Sequence, residues 1–282
     1  MAKFRLLHQL LLDQQLIQAD QVVRPISISK RDLERVHARR YHEDFSRDRL
    51  SRADQRRIGL PSTTALIQRT WLAVGGTLKT ARLALSDGLA CHLAGGTHHA
   101  HRDFGSGFCI FNDCAIAAQV LLATGEVERL MVIDLDVHQG DGTAACCCDE
   151  PRIFTLSVHA ASNFPLRKVE SDADLPLQDG VDDQGYLSAI GDRLPCLIDQ
   201  FKPDLVLFNA GVDPHQDDRL GRLALTDHGL LNRDRLVLDA CLRRSIPVAT
   251  VIGGGYDDLE ALVPRHALVI RAAVEQGRLY GL

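Results

Sequence analysis

Hydrophobic positions change their rhythm partway along this chain. Residues 3–17 and 62–80 repeat apolar side chains at helical spacing; in the second stretch Ile67, Trp71, Val74 and Leu78 share one face behind the capping start Pro61-Ser62. Further on, short continuous apolar runs take over: Leu130-Met131-Val132-Ile133, Ile153-Phe154-Thr155-Leu156, Leu205-Val206-Leu207-Phe208 and Val248-Ala249-Thr250-Val251-Ile252. Runs without polar alternation predict strands covered on both faces, as parallel strands are. Helical patterns over 113–123, 185–200 and 228–244 lie between or beside them. This βαβ rhythm predicts an open α/β fold, a central and mostly parallel sheet with helices on both faces. No repeat, low-complexity tract or linker interrupts it, so residues 1–282 are expected to form a single domain.

The stretch from Arg31 to Arg57 departs from both rhythms, with six acids among its nine arginines. That mixture reads as a solvated helical surface rather than a basic patch for an acidic partner.

Composition narrows the class of protein. A chain of 282 residues, 45% hydrophobic and 24% charged, can bury a full core, and a net charge of −5 argues against a dedicated nucleic-acid binder. The amino terminus carries Lys3, Arg5, His8 and Asp13 among its leucines and has no small-residue cleavage site, so no signal peptide is expected. No apolar run reaches the roughly 18 residues of a membrane span. Eight cysteines include the run Cys146-Cys147-Cys148 but no CxxC pair, which excludes zinc-ribbon and thioredoxin-type motifs and leaves that run as packed small residues. A reducing, cytoplasmic setting is the expectation.

Chemistry gathers where the predicted strands end. Gly95-Gly96-Thr97-His98-His99 follows Leu89–Leu93, and Asp134-Leu135-Asp136-Val137-His138 follows Ile133. Gly211-Val212-Asp213 follows Phe208, and Gly253-Gly254-Gly255-Tyr256 follows Ile252. In open α/β sheets the ligand crevice lies at the carboxyl ends of the strands, so these four groups are expected to converge. Asp134, Asp136 and His138 are spaced by two, which puts them on one side of an extended chain. Two carboxylates and an imidazole with no Lys or Arg beside them call for a shared cation. A hydrolytic zinc site needs about three protein ligands and an open position, and Asp136, His138 and Asp213 meet that count. His98 and His99, read as extended chain, face opposite ways and each needs a polar partner. They suggest a base and an acid set apart by Asp134 and Asp141. The glycines before Tyr256 allow a sharp bend that presents its phenol to the crevice. Each feature also has a purely structural explanation: DxDxH as a capped polar turn, a histidine as satisfied core, Tyr256 as a core tyrosine. Their joint placement weighs against it.

GGTHHA (95–100), GFCIFND (107–113), DLDVHQGDGT (134–143), NAGVDP (209–214) and GGGY (253–256) together resemble the signatures of the histone deacetylase family, in that family's order and approximate spacing. NFPLRK (163–168) and DRLGRLALTD (218–227) are most similar to its class IV branch and bacterial relatives. The resemblance implies the arginase-like α/β fold and a zinc-dependent deacylase. It implies one zinc on Asp136, His138 and Asp213, and tandem histidines His98 and His99 supported by Asp134 and Asp141. Tyr256 would hydrogen-bond the substrate carbonyl; Gly107, Phe108 and Phe164 would line an acyl tunnel, with Leu220 near its mouth. A structural monovalent cation, potassium, would sit at Asp134 and Ser157 with carbonyls of Asp136, His138 and Val158. One departure stands out: the family places a short strand and a proline-bearing loop before the first helix, whereas this sequence starts almost at that helix, at Lys3-Phe4-Arg5. An edge strand and part of a tunnel wall are therefore expected to be absent.

The expected substrate is an acylated lysine on protein, with neither nucleic acid nor membrane as partner. An acetylpolyamine or other small acylated amine is the alternative, and Leu220 where a cationic substrate would favour an acid counts against it. An inactive acyl-lysine binder is the reading from another class, opposed by competent residues at every matched position. A two-metal ureohydrolase would need further carboxylate ligands that the sequence does not place.

Overall fold

A computed structural model describes residues 2–282. Ahead of the first strand come α1 (Ala2–Asp13), α2 (Lys30–Leu33), α3 (Arg39–Ser46), α4 (Arg52–Ile58) and α5 (Thr64–Asp87). Then follow β1 (Leu89–His92), α6 (Asp113–Thr124), β2 (Leu130–Asp134), α7 (Asp141–Cys147), β3 (Ile153–Ala160) and β4 (Ala173–Leu177). The chain closes with α8 (Asp183–Phe201), β5 (Leu205–Asn209), α9 (Asp227–Leu242), β6 (Val248–Val251) and α10 (Leu259–Tyr280).

The six strands form one sheet in the order β1-β6-β5-β2-β3-β4, and every pairing is parallel. Leu130 lies level with both Ile153 and Leu205. Side chains then alternate between two cores, as the two-residue period of a strand requires. Met131, Ile133, Val206 and Phe208 pack against α1, α8, α9 and α10, while Leu130, Val132, Leu205 and Leu207 pack against α5, α6 and the short amino-terminal helices. Cutting back one such fully buried leucine to alanine costs about 2–5 kcal/mol, because the surroundings close only partly over the cavity. From β2 the chain winds outward through β3 and β4; it then returns to the far side of β2 and winds outward again from β5 to β6. The direction of winding therefore reverses between β2 and β5, which is where an open α/β sheet leaves a crevice.

Local signals explain the longer helices. Thr63 accepts from the Leu66 amide at 3.1 Å and starts α5, and Gly88 ends it at φ 83. The helix thus outruns its predicted end at residue 80, and α1 stops short of residue 17. α8 runs through Pro195 in its interior. The strand β4, the short α7 and the long α10 carry no clear signal in the pattern. β4 is an edge strand that contains Pro176 and is only half-buried, and α10 carries Pro264 within its first turns.

The charged stretch 31–57 corrects the expectation of a solvated surface. All of its arginines except Arg35 are exposed, but Leu33, Val36, Tyr41, His42 and Phe45 are buried, and Phe45 meets the Phe111 ring edge-on at 5.3 Å. The buried face of α3, Tyr41, His42 and Phe45, is only about one turn long, too little to outweigh so many charges in the sequence pattern.

Candidate active site

Both histidines follow the exit of β1. The loop between is held by Asp113, which accepts from the Gly96 amide at 3.1 Å, the Thr97 amide at 2.7 Å and the Thr77 hydroxyl at 2.5 Å. The chain turns at His98-His99 instead of staying extended, so the two rings do not diverge: their centroids are 4.0 Å apart. Nδ1 of His98 is 2.7 Å from Asp134 Oδ2, and Nδ1 of His99 is 2.6 Å from Asp141 Oδ1. A carboxylate acceptor keeps the proton on Nδ1 and leaves Nε2 as the working nitrogen. Asp134 is the last residue of β2, and Asp141 the first of α7.

After Asp134 the chain bends, and Asp136 and His138 turn toward Asp213 from the loop beyond β5. Their ligand atoms lie within 4.8 Å of one another. Nδ1 of His138 is 3.1 Å from Asp136 Oδ1 and 3.2 Å from Asp213 Oδ2. The remaining carboxylate lone pairs meet main-chain donors: Val137 N donates to Asp213 Oδ1 and Gly254 N to Asp136 Oδ2, each at 2.8 Å. A Cβ at Gly254 would collide with both Asp213 and Asp136, so the middle glycine of GGGY lets the main chain reach the cluster.

The electrostatics fit a metal at this cluster. Burial, then the Asp136 charge, push Asp213 up to about 7. Burial works against a charged His138, but the bonds to Asp136 and Asp213 outweigh it and raise it to about 10. A buried but charged Asp136, held so by His98 and His138, and an Asp213 whose ionisation it opposes are aimed at one imidazole nitrogen and form an oxygen and nitrogen donor set that a zinc ion would satisfy. The histidine pair is split. Burial and the neighbouring His98 lower His99 to about 4, whereas Asp134 and Asp136 overcome burial and raise His98 to about 9.

Tyr256 borders the same space, edge-on to His138 with ring centroids 5.9 Å apart, and Asp218 anchors its main-chain amide at 2.7 Å. Burial and the Asp136 and Asp213 charges hold its phenol protonated well beyond its usual range, as a donor must be. Phe164 stands edge-on to His99 at 4.8 Å, and Phe108 lies 5.7 Å from Tyr256. Both rings are partly exposed, as is Leu220, whose carbonyl accepts from Asn163 Nδ2 at 2.7 Å. Gly107 is wedged against His99, where a Cβ would come within 2.6 Å of the ring. Ser157 pairs in register with Asp134 across β2 and β3, and its hydroxyl is 3.0 Å from His159 Nδ1; Val158 beside it is fully buried.

Sequence reasoning did not assign several residues that build this site. Asn112-Asp113 ends GFCIFND directly before an apolar helix, and that position is itself a capping signal: Asn112 accepts from the Ala115 amide at 3.0 Å. His101 shares Asp141 at 2.9 Å, and Asn209 donates to Asp134 at 2.9 Å. Lys3 reaches His266 Nε2 at 3.2 Å, and burial lowers it to about 8. A polar residue on an otherwise apolar face is the pattern that would have marked Asn209 and His266.

Fold and geometry together define an open parallel α/β protein with a buried Asp-His-Asp cluster, able to hold a metal, at its topological switch point. The chain belongs to the histone deacetylase family: the histone deacetylase domain matches residues 1–272. It is 52% identical to an uncharacterised protein of Picosynechococcus over 97% of this chain and 91% of that one. It is 31% identical to histone deacetylase 2 of Arabidopsis thaliana, over 83% of this chain and 63% of the relative. The acetoin utilization protein AcuC of Staphylococcus aureus is 30% identical over 93% of this chain and 73% of its own. The crystal structure of the HD domain of HDA15 superposes with a TM-score of 0.81 at 20% identity, covering 99% of this chain and 80% of that one, and so shares the fold. Family and relatives support a deacetylase activity. Among the described residues no helix is long and apolar enough to cross a membrane.

Proposed function

We propose that this protein is a zinc-dependent amidohydrolase that removes an acetyl or longer acyl group from an amine, with acyl-lysine on protein as its substrate. The observation that carries the reading is the buried Asp136–His138–Asp213 cluster beside two histidines, each bonded to its own carboxylate. Asp136, His138 and Asp213 would hold the zinc ion, which would supply Lewis acidity toward an amide carbonyl and water. His99, neutral and oriented by Asp141, takes a proton from the attacking water at Nε2 and returns it to the departing amine. His98, charged beside Asp134, stabilises the negative charge that grows on the reacting carbon's oxygens. Tyr256 donates its hydroxyl hydrogen to the carbonyl oxygen. Gly107, Phe108 and Phe164 flank the acyl chain, and Leu220 stands at the rim.

The same reading places a structural potassium ion at Asp134 and Ser157, with the carbonyls of Asp136, His138 and Val158. Burial outweighs the neighbouring His98 and raises the Asp134 pKa, so a further positive charge beside that carboxylate would be favourable. The domain spans 1–282, and free thiols at all eight cysteines suit a cytoplasmic setting. The leucine at the rim supports an acylated lysine over an acetylpolyamine, and the overall charge of −5 argues against nucleic acid as partner.

The test is turnover of an acetyl-lysine peptide, a longer-acyl peptide and an acetylpolyamine, each with and without chelator. Hydrolysis of a peptide that stops with chelator and returns with zinc supports the proposal. Chelator-insensitive turnover, or full zinc occupancy in Asp213→Asn by elemental analysis, refutes the metal assignment. Preference for the acetylpolyamine would move the substrate class.

A further inference from the structure

The two carboxylates of the metal cluster leave the sheet on different loops, Asp136 after β2 and Asp213 after β5, and something must fix how far apart those loops stand. Arg233 of α9 is the largest fully buried side chain among the described residues. Its guanidinium lies over the Phe208 ring, 6.0 Å from the centroid, and its donors are divided between two tasks. Nε and Nη2 donate to Asp234 Oδ1 at 2.9 and 2.7 Å. Nη1 donates to the main-chain carbonyls of Gly211 at 2.6 Å and Leu135 at 3.2 Å. Leu135 immediately precedes Asp136, and Gly211 lies two residues before Asp213. One nitrogen therefore ties the two ligand-bearing loops together across the switch point. A fully buried ion pair seldom stabilises a core more than apolar side chains of the same size would, so a purely packing role leaves this arginine unexplained.

We infer that Arg233 is a positioning residue for the metal cluster, setting the separation of Asp136 and Asp213 through the Leu135 and Gly211 carbonyls; this rests on the zinc reading above. The planar fork matters as well as the charge. Lysine would keep a cation beside Asp234, but a single ammonium at the end of a flexible stem does not reproduce the paired contacts of the guanidinium.

The test measures zinc affinity by competition with a chromophoric chelator, together with the melting temperature of the zinc-stripped protein. Arg233→Lys is expected to weaken zinc binding roughly 10- to 100-fold, the usual effect of losing a group that orients metal ligands. Asp234→Asn leaves both carbonyl contacts in place and is expected to lower the melting temperature while zinc affinity stays at the parent's value. If Arg233→Lys does not fold, the double variant Arg233→Met with Asp234→Leu removes the pair together and is read the same way. Zinc affinity equal to the parent's in the arginine variant overturns the inference. So does an equal loss in Asp234→Asn, which would assign the effect to core stability. A parent protein that binds no zinc fails differently, and takes the zinc reading with it.

Discussion

The crevice at the carboxyl ends of the strands and the shell of α2–α4 are both dense in charge, yet their charges are used in different ways. In the shell the pairs join residues close in sequence, most of them about one turn apart. Arg39 Nε reaches Glu43 at 3.1 Å with 76% of the arginine side chain exposed, and Arg40 faces Asp44 at 3.7 Å from a side chain 95% exposed. In the crevice Asp134, Asp136, Asp141 and Asp213 are buried, and each is bonded to an element distant in sequence. Exposed pairs are screened by water and contribute little, whereas a buried charge without its partner is costly. The same residue types are thus nearly free to change in one region and constrained in the other. The shell still serves the crevice through its main chain: the Arg57 and Ile58 carbonyls accept from Gly107 at 3.2 Å and Phe108 at 2.8 Å, and hold Phe108 at φ 64 beside Tyr256. That conformation is uncommon for a bulky residue and persists because the surroundings over-determine it.

The largest effects are expected at the crevice. His99→Ala removes the proposed base while leaving the cluster of Asp136, His138 and Asp213 intact. Its kcat should fall by roughly 10²–10⁴-fold with zinc content unchanged, measured by steady-state kinetics beside elemental analysis. A fall of less than about tenfold would place the base elsewhere. Tyr256→Phe should come next. It keeps the ring against His138 and removes one donor, so kcat and kcat/KM should drop together by roughly 10²-fold while the melting temperature holds. A lower melting temperature with near-normal kcat would make Tyr256 a core residue and erase the contrast between the two regions.

What could be read in advance follows the same division. The four strand ends were legible because uninterrupted apolar runs stop abruptly at glycines, aspartates and histidines, and the open-sheet rule then brings those ends together. An imidazole out of water needs a carboxylate or carbonyl, which made Asp134 and Asp141 candidate partners of the histidines, but which carboxylate serves His98 and which His99 is legible only through the family resemblance. Tyr41 and Phe45 were hidden although they stand one turn apart, because a single such pair among arginines and acids is too little to mark a helix face, and His37 because it lies in a turn. Arg233 was hidden for another reason: within α9 it looks like any charged residue on a solvated face, and only the tertiary fold turns it inward.

A smaller effect than those on catalysis is expected from His37, the buried polar group that joins shell to crevice. Its Nδ1 donates to the His101 carbonyl at 3.0 Å, and its Nε2 accepts from the Asn112 amide at 2.9 Å. Burial lowers its pKa to about 4 from the ordinary 6.5, since a proton on Nε2 would be out of water and would face another donor. The unfolded chain therefore binds this proton more readily than the folded one. Stability from this group is complete above pH 6.5 and is lost as pH falls toward 4, by about 3 kcal/mol in all. Denaturant titrations across that window should show a shallower decline for His37→Gln, which has a donor and an acceptor but does not titrate. Parallel declines in the two proteins would remove His37 from the account.

The smallest effect is expected on the outer face of the shell, at Glu43. Its hydrogen bond from Arg39 lowers its carboxyl pKa, but both side chains stand in solvent and also have other partners within reach, Glu34 for Arg39 and Arg47 for Glu43. Glu43→Gln removes the charge, keeps the length of the side chain, and lets a neutral hydrogen bond replace the ionic one. A pair one turn apart on an exposed helix is worth so little that the melting temperature should fall by no more than about 1 °C. Even that difference should vanish in molar salt, where the screening length is about 3 Å. Turnover should stay at the parent's level, because the buried face of α3 and the carbonyls that hold Phe108 are untouched. A drop in melting temperature of several degrees that persists in high salt, or a change in kcat, would show that the exposed charges of the shell are coupled to the crevice after all.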